Sequence, residues 1–196
     1  MTLISGDTAI ETERLILRRM APDDLAFYTA IHADPDVALY ISHGKPRTPE
    51  ETRSWLDAIL QSYDTLSMGQ LAVTLRSTGA LLGRCGIARL ETDTAIGPDG
   101  VKAGYYFPHR APQGSNPLVE AELGYTFDRA AWSNGYASEA VAGVLEYVRA
   151  NRSDLRVVSL IMTENRRSLR VARRFGAQLV DRVGIFGRVF DRYEYP

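Results

Sequence analysis

The sequence predicts an α+β fold, a single domain on a mixed, mostly antiparallel sheet of about seven strands flanked by about four helices. Three observations point there. Several short segments alternate apolar and polar residues, as in RLILRR at residues 14–19. Others repeat apolar residues at helical spacing, with Ala137, Ala140, Val141, Val144, Leu145 and Val148 forming one stripe. The two kinds interleave along 196 residues with no repeat, low-complexity tract or linker, a length suited to one domain with a core of its own.

Taken in order, residues 14–19 read as a half-buried strand. Pro22, Asp23 and Asp24 then open a helix that carries Leu25, Tyr28 and Ile31, and Asp34-Pro35-Asp36 ends it. A second helix starts at Thr48-Pro49, with Glu51 placed to complete a capping box and Trp55, Leu56, Ile59 and Leu60 as its apolar face. Residues 70–75 and 81–90 are strand-like and joined by Ser77-Thr78-Gly79, a hairpin turn. Residues 91–118 hold four glycines and four prolines by contrast, so they read as a mobile or substrate-binding loop insertion or as an unrecognised hairpin. A strand at 119–127, a helix at 135–150, an apolar strand at 156–162 and a helix at 165–175 ended by Gly176 follow. Strands at 178–183 and 188–195, either side of Gly187, close the chain.

Composition excludes several classes. The 23 basic and 24 acidic residues nearly cancel, which argues against a whole-protein field for nucleic acid or membrane. The charge is nevertheless uneven: residues 1–148 carry 12 basic against 19 acidic side chains, residues 149–196 carry 11 against 5. A single cysteine, Cys85, permits neither an internal disulfide nor a cysteine-based zinc site, and no metal is expected. The opening MTLISGDTAIETERL lacks the form of a signal peptide and no apolar run approaches a membrane span, so a soluble cytoplasmic protein is expected.

The chemistry concentrates in two places. Glu122, Leu123, Gly124 and Tyr125 lie on a strand, and Trp132, Ser133, Asn134, Gly135, Tyr136, Ala137 and Ser138 lead into a helix with small opening residues. Unpaired amides and the positive end of the helix dipole suit a phosphate there, and Gly135 and Ala137 would let it approach the backbone. An ordinary helix capped by Ser133 or Asn134 fits the same residues. Neither a Walker loop nor a dinucleotide glycine fingerprint is present. The second place is Asn165 and Ser168, one helical turn apart at the start of a helix whose other face carries five arginines.

In order and spacing these segments resemble the GNAT superfamily of acetyl-CoA-dependent N-acetyltransferases, in the branch of the bacterial ribosomal-protein N-terminal (RimJ/RimL-like) enzymes. The residues that carry the resemblance are 12–18 (TERLILR), 82–87 (LGRCGI), 122–125 (ELGY), 132–140 (WSNGYASEA) and 165–176. Trp132 stands where the wider family has Gln or Arg. The resemblance implies that strands 119–127 and 156–162 run parallel and splay, with acetyl-CoA as cosubstrate. On that basis the amides of residues 132–138 would hold its diphosphate and Asn165 its pantetheine end. An amide among Leu123, Gly124 and Tyr125 would meet the thioester carbonyl.

Acylation of an amine needs the ammonium deprotonated and the departing thiolate protonated. Glu122 is the expected base, with Glu120 as its backup, since a carboxylate beside an apolar thioester is pushed toward a useful pKa. The family's tyrosine acid falls on Ala172 in this sequence, so Ser168 is left to serve the thiolate, by hydrogen bonding. The expected acceptor is a protein N-terminus or a small amine, with no nucleic acid or membrane partner, and a homodimer is compatible with this reading. The alternative from another class is a CoA-binding sensor without catalysis.

Overall fold

The computed structural model describes residues 10–65, 69–106 and 109–196. The residues that bear on a leader (1–9), and Phe107 in the 91–118 segment, lie outside that description. Nine strands and five α-helices are found among the described residues. The strands are β1 (Ile10–Glu11), β2 (Leu15–Arg19), β3 (Gln70–Leu75), β4 (Leu81–Thr92), β5 (Lys102–Tyr106), β6 (Leu118–Phe127), β7 (Val157–Ile161), β8 (Gln178–Ile185) and β9 (Arg188–Glu194). The helices are α1 (Leu25–Ala33), α2 (Pro35–Ala38), α3 (Pro49–Thr65), α4 (Tyr136–Asn151) and α5 (Arg166–Arg174).

The expected seven strands and four helices are thus exceeded by β1, β5 and α2. β1 has two residues, too few to show a period. α2 begins at the Asp34-Pro35 pair that ends α1. The Asp34 side chain accepts from the Asp36 amide and Pro35 supplies the first helical φ, so the breaker is also a start signal. β5 shows that part of residues 91–118 is a hairpin arm, pairing antiparallel to β4 through Leu90↔Tyr106, Glu91↔Tyr105 and Thr92↔Gly104.

The chain divides into two compact units, one of residues up to Ile87 with Gly124–Ser153, the other of Ala88–Leu123 with Asp154–Pro196. In the first, β1 to β4 pair in sequence order, all antiparallel. The capping box of α3 forms as the sequence predicts: the Thr48 amide donates to Glu51 at 2.8 Å and the Glu51 amide to the Thr48 hydroxyl at 3.2 Å. Met20, Tyr28, Ile31, Leu56 and Ala72 pack together beneath α1 and α3. The predicted stripe of α4 is buried from Ala140 to Val148. Cys85 is fully buried, as a small core residue.

In the second unit the order runs β4–β5–β8–β9–β7–β6. β8 and β9 form an antiparallel hairpin, while β5 runs parallel to β8 and β6 parallel to β7. The parallel ladder of β6 and β7 covers Ala121↔Val157 and Glu122↔Val158, and no further pair is found among the described residues. At the next position the Ser159 hydroxyl donates to the Leu123 carbonyl at 2.6 Å. A side chain thus replaces the backbone rung, and the two parallel strands part at Leu123.

Candidate active site

β6 carries the first group of predicted residues. Glu122 is 9% and Leu123 1% exposed, so the strand takes a carboxylate into the interior at the point where β7 leaves it. Ser159 beneath them also shares a bond of 3.1 Å with the Tyr195 hydroxyl. Glu120, the second carboxylate on this face, is fully buried and its Oε1 takes a hydrogen bond from Arg192 Nη1. Burial pushes the Glu120 carboxyl up, and Arg192 recovers only part of that shift. Glu120 is therefore one arm of a buried ion network that continues through Arg192 to Asp181, at 2.7 Å, and from Asp181 to Lys102, at 2.9 Å. The sequence offered it as a reserve base; the structure gives it a structural partner 72 residues away.

In the same unit Asn165 is the N-cap of α5, its Oδ1 accepting from the Ser168 amide at 3.1 Å. The capping role expected of an ordinary helix start is therefore real, and the amide nitrogen of Asn165 takes no part in it. Ser168 is half-buried and Ala172, at the position of the family's tyrosine, is 1% exposed and apolar. All five arginines of α5 are exposed while Leu169 and Ala172 are buried, so the arginines form a solvated face. Within residues 91–118, Glu91 is buried and accepts from Arg89, from Arg110 at 2.5 Å and from the Ala111 amide at 3.0 Å. These bonds hold the stretch after β5 to β4. His109 is exposed.

The other unit holds Gly124 and Tyr125 on β6 and the turn into α4. Trp132 anchors that turn, its indole Nε1 donating to the Phe127 carbonyl at 2.9 Å. Ser133 and Gly135 both take left-handed backbone, at φ +65 and +82, and Gly135 is the N-cap of α4. Neither Ser133 nor Asn134 is the N-cap: the Asn134 side chain donates backwards to the Trp132 carbonyl at 3.1 Å, and no side chain caps the first turn among the described residues. The amides of Tyr136, Ala137 and Ser138 thus open α4 without a side-chain acceptor, the arrangement suited to an anion.

Sequence reasoning missed what holds this turn. Arg14 lies across it, its guanidinium 4.8 Å from the Tyr136 ring centroid and its Nη1 donating to the Asn134 carbonyl at 3.1 Å. The same side chain pairs with Glu139 in the first turn of α4, at 2.7 Å, and Thr12 donates to Glu139 at 2.6 Å. The only sequence trace of this link is a carboxylate one turn into a helix, which the dipole alone explains.

Among the described residues no group of three or more His, Cys, Asp or Glu is placed to hold a metal, and no helix is long and apolar enough to cross a membrane.

Residues 14–178 match the family model described as acetyltransferase (GNAT) domain. YkkB of Bacillus subtilis is 29% identical over 174 residues, covering 88% of this chain and 87% of its own. The crystal structure of the acetyltransferase from Agrobacterium tumefaciens superposes with a TM-score of 0.71 at 24% identity, over 97% of this chain and 95% of that one. RimL, a ribosomal-protein alpha-N-acetyltransferase solved in complex with coenzyme A, superposes with a TM-score of 0.66 at 17% identity, over 96% of both chains.

Proposed function

Since this chain belongs to the acetyltransferase (GNAT) family, we propose that it transfers the acetyl group of acetyl-CoA directly to a primary amine, a protein N-terminus or a small amine. The observation that carries the reading is the start of α4, where a left-handed Gly135 opens the helix and, among the described residues, no side chain occupies its first amides. A helix with Ser or Asn available next to its start would ordinarily be capped by it. Leaving the amides of Tyr136, Ala137 and Ser138 open suits a diphosphate, with Trp132, Ser133 and Asn134 shaping the turn.

The residues of β6 and α5 supply the rest. Acetyl-CoA contributes an activated acyl carbon. The backbone at Leu123, Gly124 and Tyr125, released from β7 after Glu122, offers an amide to the thioester oxygen as negative charge develops on it. Glu122 accepts the proton that the ammonium must lose before its nitrogen can attack. Asn165 fixes the pantetheine end through its side-chain nitrogen, and the Ser168 hydroxyl, half-buried one turn on, steadies the thiolate by hydrogen bonding. The carbon–nitrogen bond forms, the carbon–sulfur bond breaks, one proton leaves the amine and one reaches the thiolate.

Release of CoA thiol, measured with acetyl-CoA and a panel of primary amines and short peptides, tests the reading. Amine-dependent thiol release with a matching acetylated product supports it. Tight binding of acetyl-CoA with no release by any amine would instead make the protein a CoA sensor.

A further inference from the structure

Away from the acetyl-transfer residues, the first unit crowds two arginines onto one indole. The Arg47 guanidinium carbon lies 5.6 Å from the centroid of Trp55, and that of Arg84 lies 5.5 Å from the same ring. Arg84 Nη1 donates to Gln70 Oε1 at 2.8 Å. Arg47 is held by Ser42, whose hydroxyl accepts from Nη2 at 2.6 Å and whose backbone sits at φ +45, strained for a residue with a side chain. Nη1 of Arg47 is buried and has no hydrogen-bond partner among the described residues. Burial and the neighbouring Arg84 lower the Arg47 guanidinium to about 10.

His32 completes the cluster. It is 1% exposed, meets the Trp55 ring edge-on at 4.7 Å, and its Nδ1 lies 3.3 Å from the Thr52 hydroxyl. Its Nε2 is buried without a hydrogen-bond partner among the described residues. Burial first, then Arg47 and Arg84, drive its pKa down to about 3, so the ring is a neutral hydrogen-bonding group. The carboxylate that most attracts Arg47, Glu51, is engaged at the start of α3, where it accepts from the Thr48 amide at 2.8 Å.

Two like charges held together, with a buried cationic donor and a buried imidazole nitrogen both unsatisfied, are unfavourable by themselves. A carboxylate relieves the first two of these conditions: it sets a negative charge against the paired guanidiniums and accepts from the orphaned Nη1, and its shape fits the guanidinium fork. The cluster also lies beside β6. Tyr28 donates to the carbonyl of Gly83, the neighbour of Arg84 on β4, at 3.2 Å. A Cβ at Gly83 would come within 2.3 Å of the Thr126 carbonyl and 2.7 Å of the Phe127 Cα, so this part of β4 is pressed against the strand that carries Gly124 and Tyr125.

We propose that Arg47 and Arg84, laid against Trp55, bind a carboxylate carried by the amine acceptor, so that the enzyme selects amines that also bear an acid. This deepens the acetyl-transfer reading and rests on it for the source of the carboxylate. The binding of a carboxylate stands apart from it.

The experiment uses amines matched except for that group, an amino acid against its amide, with kcat/KM followed by thiol release and binding followed by calorimetry. The wild type is expected to favour the acid at least tenfold. Arg47→Gln should remove that preference by slowing the acid while leaving the amide within about twofold. Arg84→Gln, the second variant, should act in the same direction, and circular dichroism of both shows that they fold. Equal rates on acid and amide in the wild type, or equal losses on both in folded variants, overturn the proposal. Calorimetric binding of the amino acid to the wild type but not to Arg47→Gln, with no acetylation of any amine, would retain the carboxylate site and remove only the acetyl-transfer reading. Acetate alone binding as tightly as the amino acid would make the ligand a separate anion, and inorganic phosphate binding over tenfold more tightly than acetate would make it a phosphate; either result overturns the assignment to the acceptor.

Discussion

The Arg14 amide and the Arg14 guanidinium both donate to Glu139, each at 2.7 Å, across 125 residues of sequence. Thr12 adds a third donor to the same carboxylate at 2.6 Å. The segment between β1 and β2 is thereby fastened to the first turn of α4, and Arg14 passes on to the Asn134 carbonyl in the turn itself. This clamp holds the open amides in place.

Glu139→Gln should therefore affect both stability and cosubstrate binding. Charge-assisted hydrogen bonds are worth about 1.5–3 kcal/mol each when buried, and less here because Arg14 is largely exposed. A loss of about 1 kcal/mol in urea unfolding and a several-fold rise in the KM for acetyl-CoA are expected. Burial opposes the Glu139 charge, but the bonds from Thr12 and Arg14 outweigh it and hold the carboxyl below its usual range. The group's contribution is then present above the unfolded-state value of about 4.3 and fades as pH falls through the lower folded value. The gap between wild type and variant should close on acidification; a gap that widens toward acid contradicts the clamp.

Gly135→Ala tests the turn from the backbone side. A Cβ there would meet only Arg14 Nη2, at 3.5 Å, so space is not the obstacle. The left-handed φ of +82 is, at a cost of about 1–2 kcal/mol for a residue with a side chain. Relaxing that strain rotates the first amides of α4, so calorimetry should show acetyl-CoA binding weakened by more than the stability loss explains. Unchanged affinity in a destabilised variant would show that these amides do not hold the cosubstrate.

What the sequence disclosed and what it hid divide by range. The capping box of Thr48 and Glu51, the Ser77-Thr78-Gly79 hairpin and the stripe of α4 are set by residues within a few positions of one another, and each was legible. The turn at residues 132–138 was legible as a phosphate-type start but ambiguous, because Ser133 and Asn134 both qualify as caps by residue type. Only the left-handed backbone, with Asn134 turned back onto Trp132, shows that Asn134 is not the cap. β5 was masked by the glycines and prolines around it, although Lys102–Tyr106 is held by partners on both sides, β4 and β8. Arg14 with Glu139, Arg84 with Trp55 and Arg192 with Glu120 come from distant parts of the chain, so no local pattern announces them.

The two side chains proposed to act on the amine proton and on the thiolate should separate in kinetics. Glu122→Gln removes the base while keeping shape and hydrogen-bonding capacity. kcat at neutral pH should fall about 100-fold, within the range for general-base catalysis, with the Kd for acetyl-CoA little changed. A milder loss, about tenfold, is expected for Ser168→Ala, because a hydroxyl only stabilises the thiolate. Activity of Glu122→Gln should recover as pH rises toward the pKa of the amine, where a free base no longer needs to be generated. A pH-independent deficit would mean that Glu122 shapes β6 instead of moving a proton.

The Arg192 and Glu120 pair predicts a stability effect with a defined pH signature. Arg192 is 2% exposed, Glu120 is fully buried, and Asp181 holds the guanidinium from its other side. Arg192→Leu keeps apolar volume but strands a carboxylate in the interior, a loss of about 3–5 kcal/mol at neutral pH. Burial raises the Glu120 pKa even with its partner present, so without Arg192 the group should take up a proton more readily still. A raised folded pKa favours the folded state below the unfolded value and ceases to do so as pH climbs through the folded one. The deficit of Arg192→Leu should thus be greatest near pH 7 and shrink toward pH 5. Asp181 acts in the same sense, because the pairing that holds its carboxyl low is also lost in the variant. Adding Glu120→Leu should return part of the lost stability at neutral pH, since a well-packed apolar pair carries no stranded charge. Urea unfolding of the single and double variants at both pH values decides it: a double variant no more stable than Arg192→Leu, or a deficit indifferent to pH, would locate the cost in packing and not in the charge.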